Sequence, residues 1–447
     1  MNKPNKHLFI KTDIARISCS PLTLVFISTV ISIFRSPEIT LQGRFFAEEG
    51  ALFWANALQV PWYKELFYVA PIAGYFLSVS NIATAISSHL PLIISPLFSV
   101  WLSLFLQLVP SLFVLKFAPK DFGWFRIAWA YLYILAIPVL NSEVFANSIN
   151  SQVFLALGTF VILILLPLSR EIGSSKFVKF YLLIAVTSGW YSLALLPLIF
   201  MHIYRLRSLH KFRDFVIIFC IGLCIQVFTF FFSRERGLLS PERFTADLSL
   251  KGLLGDQREL LRLAFEGDMG LTKIRIVFLT CISISAFAFY VFYARTSLRV
   301  SINLRDTSGV FFGYTFVALL VEFSLIEFGR TNAVSGRYSV LPGILSLTLI
   351  VFASLYLSGF KYLKCRSEAL IWVLLCLGIA GLFQPKTNFV VCEVGCRSWR
   401  SQVHDIQVGR NSVVYHWLQS DEDSRWKTDL IHPKPQLAPD QLKILED

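Results

Sequence analysis

Charged residues are scarce in this chain. They make up 16% of its 447 residues, whereas soluble domains typically carry about 25%. No HExxH zinc motif and no group of acidic, histidine or cysteine residues at metal-ligand spacing occurs, and neither an internal repeat nor a low-complexity run is evident. The composition argues against a disordered chain, and the spacing of potential ligands argues against a metal site built by the protein alone.

Apolar residues are abundant instead. The chain is 55% hydrophobic and contains 42 Phe, 15 Tyr and 10 Trp. Apolar runs of near-membrane length recur from residue 17 to residue 383, with polar connectors between them. This pattern predicts an all-α polytopic membrane protein and excludes a soluble α/β enzyme. Barrel strands would instead alternate over about ten residues.

The apolar runs predict about 11 spans. We place them near residues 17–34, 92–115, 126–140, 153–168, 177–188, 191–204, 214–233, 274–293, 309–328, 339–360 and 368–384. The short runs 177–188 and 191–204 are interpreted as a hairpin broken at Ser188-Gly189-Trp190. The moderately apolar stretch 66–88 is interpreted as a re-entrant or interfacial helix on the outer face.

The net charge of +12 is distributed as clusters between the apolar runs. That is the pattern of cytoplasmic loops under the positive-inside rule, so nucleic acid is not an expected partner. The basic N-terminus is then cytoplasmic, the first span is uncleaved, and the C-terminal tail is extracytoplasmic. A bacterial inner membrane is the expected location. We predict a multi-span membrane domain at 1–384 and a small tail domain at 385–447. The membrane domain would carry two sizeable outer loops, 35–91 and 234–273.

Two cysteines, Cys392 and Cys396, lie beyond the last apolar run. In an extracytoplasmic tail they would form a disulfide, because two zinc ligands would need partners that the nearby sequence does not offer. The tail has about 60 residues, a size that is marginal for independent folding, so we expect it to lean on the membrane domain.

An acidic pair lies just after the first span, in Gly-Arg-Phe-Phe-Ala-Glu-Glu-Gly from Gly43 to Gly50. Adjacent acids cannot point the same way on a helix or strand. One of Glu48 and Glu49 could therefore serve a reaction while the other is held by Arg44 or by a loop amide. An ordinary solvated loop would carry the same residues.

Taken together, these features resemble the GT-C superfamily of membrane glycosyltransferases. The resemblance rests on the acidic pair, the broken helix near Gly189, the run Gly336-Arg337-Tyr338 after a late span, and the outer tail. It implies transfer of a sugar from a polyprenyl-phosphate-linked donor to a cell-surface glycan or lipid-linked acceptor, outside the membrane. The acidic pair lacks the more usual Asp, and no Trp-Trp-Asp signature of oligosaccharyltransferases occurs, which argues against transfer to protein.

The chemistry requires a base for the acceptor hydroxyl and cations for the leaving phosphate. Glu49 is favoured over Glu48 as the base, because Arg44 could pair with Glu48 on a helical turn and lower its pKa. Arg337, helped by Arg330 or Arg44, is the candidate phosphate ligand, although arginines at helix ends also bind lipid headgroups.

Three further residues are candidates for substrate binding: Tyr338, Asn150 and Trp54. The sequence identifies no cofactor with certainty, and a divalent cation (Mg²⁺ or Mn²⁺) bound in part by the donor phosphate is left open. The rival interpretation is a transporter or flippase of lipid-linked sugars, or a membrane component of polysaccharide assembly. A transporter would predict repeated halves and ionisable residues near mid-membrane, whereas the notable charges here lie in outer loops.

Overall fold

The computed structural model describes residues 20–70, 74–140, 144–206, 209–235, 313–315, 317–319, 340–358, 364–382, 398–416 and 427–430. Of these residues, 76% are helical. The longer helices are α1 Pro21–Arg35, α2 Ser78–Ser87, α3 Ser95–Phe117, α4 Trp124–Leu140, α5 Ser151–Leu165, α6 Lys176–Val186, α7 Leu196–Leu206, α8 Leu209–Glu235, α9 Val340–Ser358, α10 Lys364–Leu382 and α11 Trp399–Gln407. One antiparallel hairpin pairs β1 Val413–Tyr415 with β2 Lys427–Asp429.

Two helical segments of the described chain, Ser95–Phe117 and Phe212–Ser233, are long and apolar enough to cross a membrane. They fall on the predicted spans 92–115 and 214–233, so the expectation of long apolar helices there is confirmed. The predicted span 274–293 and most of 309–328 lie outside the described residues.

Helix α5 is the centre of the bundle. All of its residues, from Ser151 to Leu165, are buried. A helix that is apolar on every side is stable in a protein only when other elements surround it. Here α3, α6 and α9 pack around it.

The chain between α6 and α7 is broken where the sequence predicted. Helix α6 ends at Val186, and the short helix Tyr191–Ala194 follows. Gly189 between them has φ +95°, and a Cβ there would lie 2.1 Å from Gln152 Oε1, so only glycine fits. The predicted helix break is confirmed.

The first residue of α2, Ser78, contacts this break. Ser78 N–H donates to the Thr187 carbonyl (3.3 Å), and the Ser78 and Ser188 hydroxyls are 2.6 Å apart. The Thr187 carbonyl at the break is therefore paired within the protein, as an apolar environment requires.

Gln226 of α8 binds the backbone of Phe76, two residues before α2 begins. Phe76 N–H donates to Gln226 Oε1 (2.9 Å), and Gln226 Nε2 donates to the Phe76 carbonyl (3.1 Å). Helix α2 has 10 residues, about half of what a span needs. The re-entrant or interfacial placement of 66–88 stays a prediction.

The C-terminal segment packs on the first loop. Phe45 and Trp54 form a buried cluster with Trp399, Val403 and Val414. Trp399 Nε1 also donates to the Leu92 carbonyl (2.9 Å). These contacts accord with the expectation that so short a tail does not stand alone. Cys392 and Cys396 lie outside the described residues, so their disulfide stays a prediction.

Candidate functional site

The acidic pair lies at the start of a π-helical turn, Glu49–Trp54. Such turns are rare and occur frequently at functional sites. The side chain of Glu49 points into the protein and is only 1% exposed. A buried carboxyl group requires hydrogen-bond donors, so its surroundings decide what it can do.

Four donors converge on the Glu49 carboxylate. Oε1 accepts from the hydroxyls of Ser99 and Ser148 and from Ser148 N–H (3.0 Å), and Oε2 accepts from Phe46 N–H (3.2 Å). Burial raises the pKa of Glu49, and these donors oppose that rise because they stabilise the charged form. Glu49 therefore forms hydrogen bonds to the first loop, to α3 and to the turn before α5.

That turn has an unusual backbone. Ala146 has φ +55°, a conformation that an L-residue adopts at a cost of roughly 1 kcal/mol or more. Asn150 N–H donates to Asn147 Oδ1 (2.9 Å), which closes the turn and presents Ser148 to Glu49. Asn150, predicted to bind substrate, is 3% exposed and lies in this turn.

Glu48 lies in different surroundings, as predicted for adjacent acids. It precedes the π-helical turn and is half-buried. Across the described ranges its carboxylate makes no hydrogen bond or ion pair. The pair therefore consists of one anchored carboxylate and one available carboxylate.

Arg44 does not have the geometry that the sequence argument assumed. Gly43, Arg44 and Phe45 lie outside any helix, so the helical spacing used to pair Arg44 with Glu48 is wrong. Arg44 Nε instead donates to the Tyr415 carbonyl (3.0 Å), and the side chain is buried. Burial lowers the pKa of Arg44 to about 10, while the charge of Glu38 opposes this. Its predicted contact with a donor phosphate would need this guanidinium to reach a ligand from a buried position.

Trp54 lies in an aromatic cluster. Its ring stacks on Phe45 at 4.8 Å between centroids and meets Trp399 and His416 edge-on at 6.2 and 6.3 Å. The side chain is 1% exposed. Protein rings occupy the positions around Trp54, so a sugar could stack on it only after displacing them.

The structure thus brings together Glu48, Glu49, Arg44 and Trp54, and places Asn150 in the turn that supports Glu49. The other predicted site residues, Arg330, Arg337 and Tyr338, lie outside the described residues. Within the described ranges, no cluster of three or more His, Cys, Asp or Glu residues could hold a metal ion.

Sequence reasoning missed the partners of Glu49. A pattern that indicates Ser99 does exist, because Ser95, Ser99 and Ser103 recur every four residues on one face of the mainly apolar α3. Ser148 lies in the polar connector 141–152, whose sequence does not distinguish it from its neighbours.

A second buried carboxylate, Glu65, was also missed. It is fully buried and accepts from Asn56 Nδ2 (2.6 Å) and Thr84 Oγ1 (2.9 Å). Burial raises the pKa of Glu65 to about 7, an effect that these two hydrogen bonds only partly offset. The short stretch Trp-Tyr-Lys-Glu that contains Glu65 carries no sequence signal of burial.

This raised pKa predicts a pH-dependent stability. The folded state binds the Glu65 proton more tightly than the unfolded state, so its contribution is complete below about pH 4.5 and is lost as the pH rises through about 7. Between pH 5 and pH 8 the wild-type chain should lose about 2 kcal/mol relative to Glu65→Gln, whose side chain stays neutral. Thermal unfolding in detergent at both pH values measures this, with exposed Glu171→Gln as the control. Identical pH dependence in wild type and Glu65→Gln would contradict it.

Comparison with known proteins gives no match: no protein-family model, curated protein or solved structure is similar to this chain. The functional assignment therefore depends on the residues themselves. Among them, the contrast between the anchored Glu49 and the available Glu48 is the most informative feature.

Proposed function

We propose that the chain is a polytopic integral protein of the bacterial inner membrane, with about 11 spans, a cytoplasmic N-terminus and an extracytoplasmic tail. Besides its two candidate spans, exposed apolar side chains on α8 support this. Phe228 and Phe231 are 70% and 54% exposed. Exposed apolar surface on a long helix is typical of a lipid-facing element.

We further propose that it is a GT-C-like glycosyltransferase, which transfers a sugar from a polyprenyl-phosphate-linked donor to a glycan or lipid-linked acceptor at the outer face. The observation that carries this proposal is the division within the acidic pair. Glu49 is held by four donors, whereas half-buried Glu48 has no hydrogen-bond or ion-pair partner in the described part of the chain. A general base must be both available and well positioned.

In this proposal Glu48 is the base and Glu49 is a positioning residue. Glu48 takes the proton from the acceptor hydroxyl as that oxygen attacks the anomeric carbon. The bond from the anomeric carbon to the phosphate oxygen breaks, and the electron pair leaves with the polyprenyl phosphate. The sequence argument favoured Glu49 as the base. However, four donors occupy the carboxylate oxygens of Glu49, whereas the Glu48 carboxylate accepts no hydrogen bond within the described residues and is available to take a proton.

The leaving phosphate needs cationic or N–H donors. Arg337 remains the proposed phosphate ligand, because a guanidinium can donate two parallel hydrogen bonds to phosphate oxygens. Arg330, seven residues earlier in the sequence, is proposed to assist it. Arg44 could assist only if it left the Tyr415 carbonyl to which it donates. We therefore give Arg44 a structural role in holding the loop.

The test is a transfer assay with purified protein in lipid nanodiscs and a panel of radiolabelled polyprenyl-phosphate monosaccharides. Glu48→Gln should lower the transfer rate at least about 100-fold, the usual contribution of a general base, with unchanged thermal unfolding. Glu171→Gln, an exposed acid distant in sequence, is the matched control and should keep wild-type activity.

Two results would contradict the proposal in different ways. Wild-type transfer by Glu48→Gln would remove this residue from catalysis. If the wild-type protein transferred no sugar from any donor but moved labelled donor across a vesicle bilayer, the transporter interpretation would replace the enzyme. The helix break at Gly189 favours that alternative, since transporters use discontinuous helices, but the backbone at Thr187 is already paired with Ser78.

A further inference from the structure

Gly50, the residue after Glu49, lies directly against His416. A Cβ on Gly50 would be 2.2 Å from His416 Nδ1, far inside any tolerable contact. Glycine is therefore required here by close approach of the imidazole ring. The C-terminal segment therefore contacts the residue that follows the acidic pair, as well as the aromatic cluster.

A threonine hydroxyl connects the two residues. Thr428 Oγ1 donates to the Gly50 carbonyl (3.2 Å) and lies 2.9 Å from His416 Nε2. With the hydroxyl proton on the Gly50 carbonyl, His416 is the donor to Thr428, through Nε2–H. Its Nδ1 has no hydrogen-bond partner among the described residues and faces Gly50.

The electrostatic surroundings favour the neutral imidazole over the imidazolium. Burial, with a smaller effect of the Arg44 charge, lowers the pKa of His416 to about 3. The ring is fully buried and meets Phe45 and Trp54 edge-on at 6.2 and 6.3 Å between centroids. The imidazole is therefore enclosed by the aromatic cluster, Gly50 and Thr428.

A second connection lies on the other side of the acidic pair. Arg44 Nε donates to the Tyr415 carbonyl (3.0 Å), and Tyr415 N–H donates to Gln402 Oε1 (2.7 Å). Tyr415, the last residue of β1, therefore contacts the loop at Arg44, and His416, which follows β1, contacts it at Gly50. Glu48 and Glu49 lie between these two attachment points.

We propose that the C-terminal hairpin β1–β2 is part of the functional site and that His416 is a positioning residue, which fixes the turn that carries Glu48 and Glu49. This inference depends on the proposed function only where sugar transfer is the quantity measured. The geometric part concerns the position of the turn that carries Glu48. Neither His416 nor Thr428 needs to touch the substrate.

The first measurement does not depend on activity. The thiol of a Glu48→Cys variant is labelled with a maleimide, alone and combined with His416→Leu or His416→Gln. Leu removes the Nε2–H donor, whereas Gln places an N–H donor at a similar distance from Thr428. We expect His416→Leu to change the labelling rate at least about threefold and His416→Gln to leave it near that of Glu48→Cys alone, because only the former releases the turn.

The second measurement is transfer itself, in the background with native Glu48. His416→Leu should lower kcat at least about tenfold with little change in the KM for donor, since a misplaced base slows chemistry without removing donor contacts. His416→Gln should retain most of kcat. Gly50→Ala places a methyl group against the His416 ring, so it should displace the same turn and also lower kcat. The exposed His404→Leu variant is the control.

The outcomes separate the two proposals. If both labelling and kcat are unchanged in a folded His416→Leu protein, the positioning role is refuted while the glycosyltransferase proposal stands. If the wild-type protein shows no transfer but labelling responds to His416→Leu and not to His416→Gln, the proposed function fails and the positioning role is supported. Should His416→Leu not fold, Gly50→Ala with Glu48→Cys decides by the same labelling rate.

Discussion

Replacing Glu49 with glutamine is expected to lower the free energy of unfolding by about 3 kcal/mol, despite the nearly identical shape of the side chain. Both carboxylate oxygens face backbone donors: Ser148 N–H at Oε1 and Phe46 N–H at Oε2. A glutamine amide has one oxygen and one NH₂ group, so either orientation places NH₂ against a backbone N–H. Serine hydroxyls can rotate to adapt, but backbone N–H groups cannot.

Denaturant or thermal unfolding in one detergent measures the loss, and the adjacent residue provides the control. Glu48→Gln changes the same chemical group at a half-buried position without hydrogen-bond partners in the described chain, so its stability should match that of the wild type. Ser99→Ala and Ser148→Ala each remove one hydroxyl donor and should cost about 1 kcal/mol. Equal stability of Glu49→Gln and Glu48→Gln would show that Glu49 is not anchored as described.

Removing the Trp399 ring should be the most damaging change in the C-terminal segment, at about 4 kcal/mol. The side chain is 1% exposed, donates to the Leu92 carbonyl and packs edge-on against Phe45 (5.9 Å) and Trp54 (6.2 Å). Trp399→Ala loses all of these contacts and leaves a cavity between α11 and the first loop. Local detachment of α11 and the hairpin is the expected result, because elements attached by few contacts open before the core does.

Limited proteolysis detects such detachment directly. In Trp399→Ala, cleavage within residues 398–430 should become much faster, while fragments from the helical bundle stay protected. Trp62→Ala is the matched control, since that ring is 55% exposed. Trp399→Phe should be intermediate, because it keeps an aromatic ring but loses the hydrogen bond to Leu92. Cleavage at the wild-type rate in Trp399→Ala would show that the cluster does not attach the C-terminal segment.

Features set by local sequence were predictable. The break near Gly189 follows from Ser188-Gly189-Trp190 between two short apolar runs, and α3 and α8 follow from long apolar runs. The different surroundings of Glu48 and Glu49 were predictable, because adjacent side chains on a helix or strand cannot point the same way. These predictions depend on residues close together in the chain, where periodicity and composition carry information.

Features set by distant contacts were not predictable from one sequence. Thr428 bonds a residue 378 positions earlier, and nothing near His416 marks it as a neighbour of Gly50. The preference for Glu49 over Glu48 assumed a helix through Arg44, whereas Arg44 lies outside any helix and donates to the Tyr415 carbonyl. Burial of Glu65 likewise depends on Asn56 and Thr84, which only the fold brings near it.

The bond between Phe76 and Gln226 has a consequence for biosynthesis. The ribosome makes Phe76 150 residues before its partner, an interval on the order of ten seconds at typical elongation rates. During that time the Phe76 N–H and carbonyl must bond to water or to the insertion machinery, since an apolar surrounding penalises unpaired backbone groups. The loop before α2 therefore reaches its final position only after α8 has been synthesised, and a chain that stops short of residue 226 cannot complete it.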